Sequence, residues 1–153
     1  MAKNVTLSTQ RLYVKNASCE MSNAPQMFRE QGRPENKVEL QINHNKLEED
    51  NHYEAILSLT VTTKISDKIL CTTKAEQAGI FKIENASKEQ LEQILGVHCP
   101  HVLYPYACNA ISQLAVMGSL PAIVLQPIDF GGLYQQRKKE EQGQQGDSEH
   151  TIH

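Results

Sequence analysis

The sequence predicts an α+β fold: a four-stranded antiparallel sheet backed by one long helix plus a shorter C-terminal helix. Three observations predict it. Alternating apolar and polar residues dominate the chain up to Ile83. Apolar residues at helical spacing appear only after Ser87. Strands first and helices after place the helices together on one face of an antiparallel sheet. A length of 153 residues fits one domain, placed at 1–141. The stretch 142–153 is Gln, Gly and charge, and is expected to be a disordered tail.

The first strand is expected near 8–21. Leu12 and Val14 alternate with polar neighbours, then Ala17, Cys19 and Met21 alternate in the opposite phase. A strand can change phase only by inserting a residue, so a bulge is expected around Lys15 and Asn16. Asn23-Ala24-Pro25 turns the chain, and Met27 and Phe28 follow in a short turn that Gly32 and Pro34 interrupt. Val38, Leu40 and Ile42 alternate with polar residues in a half-buried second strand. The polar run Asn45 to Asn51 is a loop.

Tyr53, Ala55, Leu57, Leu59, Val61 and Ile65 then face one way in a third strand. Ser66-Asp67-Lys68 reverses the chain, so the stretch from Ile69 to Ile83 pairs back as the fourth. Gly79 within it marks a bulge or a close strand approach, since a single glycine makes no phosphate cradle.

Ser87 with Gln90 forms a capping-box pattern ahead of Leu91, Ile94 and Leu95, a short amphipathic helix. The long helix is expected over 104–117, framed by Pro100 and Pro105 and ended by Gly118 and Pro121. Along it, Leu103, Ala107, Ala110, Leu114 and Met117 alternate spacings of four and three in one narrow seam. The helix is apolar beyond a single stripe. One face can cover the sheet, and the rest needs another surface, most simply the same helix of a second subunit. The stretch Leu120 to Ile128 carries Pro121 and Pro127 and reads as an extended connector, unusually apolar for a loop. Asp129 is placed to cap a last helix through Phe130, Leu133 and Tyr134.

Net charge is −3 and the only tight basic run, Arg137-Lys138-Lys139, meets Glu140 and Glu141 at once. Nucleic acid is therefore a poor partner. No stretch approaches the roughly 20 apolar residues of a membrane span, and Met1 to Ser8 lacks the apolar core of a secretory signal. The expected location is the cytoplasm, where Cys19, Cys71, Cys99 and Cys108 are reduced thiols acting as small buried hydrophobes. His98, Cys99, His101 and Cys108 are the one cluster with metal-ligand chemistry. Pro100 stiffens it and no second ligand pair exists, so no metal and no cofactor are expected. No nucleotide motif and no nucleophile with a local partner is present, so no enzyme is expected.

Gly96-Val97-His98-Cys99-Pro100-His101-Val102-Leu103-Tyr104-Pro105-Tyr106-Ala107 resembles the segment G-x-x-C-P-x-x-L-x-P-Y-A of SecB, the bacterial protein-export chaperone family. Gln10 to Lys15, Asn23 to Phe28, Gln77 to Phe81 and Pro127 to Phe130 match in the same order, so the resemblance covers roughly Leu7 to Tyr134. It implies an ATP-independent holdase of the bacterial cytoplasm. Such a chaperone binds unfolded preproteins in an apolar groove and delivers them to the SecA translocation motor. Carried over, Met27, Phe28, Ile123, Val124, Leu125, Phe130, Leu133 and Tyr134 line the client groove. The seam from Leu103 to Met117, with the first strand, builds a homotetramer, a dimer of dimers. Asn16, Glu20 and Lys74 fall on the SecA docking surface. Asn16 stands where the family usually has Asp, Lys74 where it usually has Glu, and Gly32 where a Trp is common. Two other readings stay open: a SecB-like chaperone dedicated to one client, such as an antitoxin, and a small oligomeric enzyme using Cys99 and its histidines.

Overall fold

The structure, a computed structural model, describes residues 4–143. Four strands form one antiparallel sheet: β1 (Thr6–Glu20), β2 (Glu35–Lys46), β3 (His52–Ile65) and β4 (Lys68–Glu84). Their spatial order is β1-β4-β3-β2. β2, β3 and β4 are joined by tight reversals, and the longer link after β1 carries the chain across, so β1 pairs with β4. Both β1 and β2 are edge strands.

Burial along β3 alternates without a break from Ala55 to Ile65, as its sequence pattern predicts. In β1 the register shifts between Val14 and Asn16, which leaves Lys15 as the extra residue of the expected bulge. A second shift, between Thr9 and Arg11, was not visible in the pattern because Ser8, Thr9 and Gln10 are all polar. Gly79 lies opposite Leu12 beside that second bulge. A Cβ there would stand 2.8 Å from Phe81 and 3.0 Å from Leu12, so glycine is required by the close packing of these two side chains.

The capping box of α1 (Lys88–Gln93) forms as expected: Gln90 N donates to Ser87 Oγ and Ser87 N to Gln90 Oε1. The chain then passes through one π-helical turn (Ile94–His98) directly into α2 (Cys99–Met117). The long helix thus starts five residues before the expected position. Pro100 occupies its first turn, where no backbone donor is needed, and Pro105 lies inside it. The carbonyl that loses a partner to Pro105 belongs to His101, an exposed residue that water can satisfy.

α2 packs on β4 and β3, and scarcely reaches β1. Cys99, Pro100, Leu103, Ala107, Ile111 and Ala115 make its buried face. This corrects the seam: Leu103 and Ala107 are completely buried by the chain's own sheet and have no surface left for a second subunit. The inner face of β2 is covered instead by the connector and by α3 (Phe130–Gly143), with Leu125, Ile128 and Leu133 packed on the core that holds Leu40. Asp129 caps α3 as expected, its Oδ1 accepting from Gly132 N at 3.1 Å. The helix runs through Gly143, so the first two residues of the expected tail are helical, and residues 144–153 lie outside those described.

Candidate functional site

Two facts about the connector set up the site. It is extended, and it stays so although it is apolar, because Pro121 and Pro127 bar a helix. It is also pinned. Tyr104 of α2 donates its hydroxyl to the Gln126 carbonyl at 2.5 Å, and Tyr104 packs edge-on against Phe130 with ring centroids 5.6 Å apart. Burial, with Cys108 beside it, pushes the Tyr104 hydroxyl well above its ordinary pKa, so it remains a donor.

The connector has an alternating character of its own. Ile123 is buried, Val124 is 86% exposed and Leu125 is half-buried again. Open cavities flank it at both ends. One of about 200 Å³ lies between Pro34, just ahead of β2, with Asn36 and Thr63 of the sheet, and Leu120 to Ile123 on the connector. The other, of about 310 Å³, lies between Ile42 and His44 of β2, Gly96, and Leu133 and Tyr134 of α3. Asn36 and His44 stand roughly 26 Å apart along β2, at a strand rise of about 3.3 Å per residue. The connector, the two cavities and the unpaired edge of β2 therefore form one strip along the side of the molecule.

The eight residues assigned to a groove divide by exposure. Val124 and Phe28 are open to solvent, and Leu125, Leu133 and Tyr134 are half-buried. Met27, Ile123 and Phe130 are 5%, 6% and 3% exposed, so their side chains pack into the core. Met27 belongs to a second small core with Ile65, Leu70 and Cys71, touched by Leu120 where the connector begins. Tyr134 lies flat on Gly96, whose Cβ would stand 3.0 Å from the ring, and Lys138 sits over the ring at 5.6 Å from its centroid. Gly32 takes φ 138°, and a Cβ there would meet Ile65 at 3.0 Å, so this backbone excludes the aromatic residue common in the related family. Sequence reasoning missed Asn36, Ile42, His44 and Gly96. Nothing in a single strand pattern says which strand will lie at the edge beside a later loop.

Asn16, Glu20 and Lys74 do come together. Asn16 pairs with Glu76 and Ser18 with Lys74, all on the outer face of the sheet away from α2. Lys74 Nζ lies 3.6 Å from Glu76 Oε1. With Glu20 and Glu76 at −2 and Lys74 at +1, the patch sums to −1. The neighbouring part of that face holds Tyr13, which donates to the Glu54 carboxylate, and Lys15, 3.0 Å from it.

The Cys99 cluster does not converge. Cys99 is fully buried while His98 and His101 are exposed. Burial pushes the Cys99 thiol up to about 12, so it stays protonated, the opposite of what a nucleophile or a metal ligand needs. Among the described residues, no three His, Cys, Asp or Glu side chains could share a metal ion. No helix among them is long and apolar enough to cross a membrane.

Comparison with known proteins agrees with this architecture. The family model described as preprotein translocase subunit SecB matches residues 1–141. The chain is 41% identical to the protein-export protein SecB of Hahella chejuensis over 143 residues, covering 94% of this chain and 89% of that protein. It is 42% identical to that of Marinobacter nauticus over 145 residues, covering 93% and 87%. Among solved structures it matches the SecB-like chaperone Rv1957 of Mycobacterium tuberculosis, in complex with a ChAD peptide from the antitoxin Rv1956 HigA1. That match has a TM-score of 0.66 and 14% identity, and covers 80% of this chain and 90% of that one.

Proposed function

The chain belongs to the SecB family of protein-export chaperones, and we propose that it works as an ATP-independent holdase whose client site is the strip along β2. The observation that carries this is the connector: an apolar, extended segment, pinned at Gln126, that leaves Val124 in water between two cavities. An unfolded preprotein exposes apolar side chains and unpaired backbone. The strip answers both, with apolar positions on the connector and free main-chain groups on the edge of β2. Recognition of this kind reads hydrophobicity rather than sequence, and many weak contacts along one client add up because later ones are effectively intramolecular. Nucleotide has no part in such binding.

The patch of Asn16, Glu20 and Lys74 is the docking surface for SecA in this reading. Its net charge of −1 makes it a weak attractor for a basic partner, and Lys74 opposes one directly. That same observation favours a second reading, a chaperone dedicated to one client such as an antitoxin, in which the SecA handoff has lapsed. The cytoplasm is the compartment either job requires.

Light scattering of an aggregating, unfolded preprotein in the absence of ATP tests the proposal. Suppression near stoichiometry is expected. Val124→Asp and Phe28→Asp should weaken it several-fold while changing stability by less than about 0.5 kcal/mol, since both side chains are exposed. Full suppression by both variants would place the client elsewhere, and no suppression by the unaltered protein would overturn the general holdase reading in favour of the single-client one.

A further inference from the structure

Four cysteines are scattered through the sequence with no C-x-x-C spacing, yet the fold brings two of them together. Cys19 Sγ and Cys71 Sγ lie 3.3 Å apart. Cys19 is the last but one residue of β1 and Cys71 sits near the start of β4. Cys19 pairs with Thr73 across the ladder, so Cys71 is its diagonal neighbour on the inner face. All four cysteines are free. Cys99 and Cys108 both belong to α2.

We propose that Cys19 and Cys71 form a reversible intramolecular disulfide when the protein meets a peroxide, making this corner a redox modification site. The two thiols differ in access. Cys19 is half-buried, whereas Cys71 is 1% exposed in the small core with Met27, Ile65 and Leu70. The accessible thiol reacts first. The Cys19 thiol gives up its proton, its thiolate attacks one oxygen of hydrogen peroxide, the O–O bond breaks, and a sulfenic acid forms while the departing hydroxide takes up that proton as water. The Cys71 sulfur then attacks the Cys19 sulfur, the S–O bond breaks, and a second water leaves. Two thiols have lost two electrons and two protons, and one peroxide has become two waters. Burial, reinforced by the Cys19 sulfur, pushes the Cys71 thiol up to about 12, which keeps it from reacting with peroxide ahead of Cys19; its place 3.3 Å from the Cys19 sulfur makes it the resolving partner.

Closing the bond requires the sulfurs to move from 3.3 Å to about 2.05 Å. Cys19 lies one residue from the end of β1, and Met21 is already outside the strand, so the ladder constrains Cys19 from one side only. Around the pair, Met21 and the end of α2 at Gly118 pack tightly, and Leu120 touches the same cluster. The bridge therefore staples the end of β1 to β4 at the point where the apolar connector begins.

Intact-mass analysis and thiol counting on the full chain, after graded hydrogen peroxide under non-reducing conditions, test the proposal. The expected result is loss of two of the four thiols, a mass lower by two hydrogens, a bridged peptide joining Cys19 to Cys71, and full recovery with dithiothreitol. Cys19→Ser should keep its remaining thiols at the same dose. Cys71→Ala should instead trap a sulfenic acid at Cys19, read by dimedone labelling, and Cys19→Ser covers the case in which the buried substitution fails to fold. Retention of four thiols at a dose that oxidises free N-acetylcysteine, a bridge containing Cys99 or Cys108, or a bridge between two chains would each overturn it.

Discussion

Ser119 shows how a single residue can carry a cost that the fold tolerates. After α2, Ser119 N donates to the Val116 carbonyl and Leu120 N to the Ala115 carbonyl, the paired bonds of a Schellman ending. That ending requires a left-handed residue, and Ser119, with φ 63°, supplies it. The sequence suggests Gly118 for this task, but Gly118 has φ −86° and is needed for another reason: a Cβ there would stand 2.9 Å from Met21 Sδ. A left-handed non-glycine residue costs about 1–2 kcal/mol, against about 0.5–1 kcal/mol of extra chain entropy for glycine. Ser119→Gly should therefore raise stability by about 0.5–1 kcal/mol in urea titrations, whereas Gly118→Ala should lower it.

The Tyr13, Lys15 and Glu54 group gives a second prediction at this scale. Burial acts to raise the Glu54 carboxyl, but hydrogen bonds from Tyr13 and Lys15 outweigh it and hold the group below its usual 4.5. Burial and the Glu54 charge push the Tyr13 hydroxyl from 10.0 up to about 12. A depressed carboxyl stabilises the fold above its unfolded value and loses that contribution as pH falls; a raised phenol does so below its unfolded value and loses it as pH rises. The pair is thus fully effective between about pH 5 and 10. The stability difference between the unaltered protein and Glu54→Gln should be flat across that window and shrink on both sides of it. A difference that persists unchanged at pH 3 would mean Glu54 acts through packing alone.

Among the elements, the strands were the most legible and the last helix the least. Period-two burial in β3 can be read residue by residue, and the phase change in β1 revealed its bulge, because both depend only on local alternation. The docking of α3 depends on residues far apart. Its polar half says nothing about where it rests, and Gly96 looks like ordinary punctuation until Tyr134 is seen lying on it. Valine at that position would collide with the ring at the site where a Cβ already stands at 3.0 Å. Gly96→Val should lift α3 off the body, shown by faster amide exchange from Leu133 to Lys138 with the sheet unchanged. Client binding should fall with it, since α3 walls the larger cavity. If exchange in α3 stays slow, the helix is held by Phe130 and the Asp129 cap alone.

At the scale of the whole molecule, the question is what covers the apolar surface that one chain leaves open. Val14 is 51% exposed on the inner face of β1, which α2 hardly reaches, and Tyr106, Val116 and Met117 on the free side of α2 are 51%, 55% and 82% exposed. The seam read from the sequence merged two faces of that helix. Positions four apart advance by about 40° around a helix of 3.6 residues per turn. The stripe Leu103, Ala107, Ile111, Ala115 therefore drifts onto the sheet. Ala110 and Met117 lie back from it, within about 40° of Tyr106 around the helix, and Leu114 falls between the two faces. A monomer with this surface and the outer edge of β1 open along its length would be prone to association, and a dimer of dimers closing on both is the arrangement we propose. The two faces make opposite predictions. Ala110→Trp should force facing helices apart and lower the mass seen by light scattering at least twofold, while each subunit keeps its thermal transition. Leu103→Ala should instead cost about 2–5 kcal/mol of folding stability, because it empties the contact between α2 and the sheet. If Ala110→Trp destabilises the fold without changing the mass, α2 is not the surface through which the subunits meet, and β1 alone must hold them.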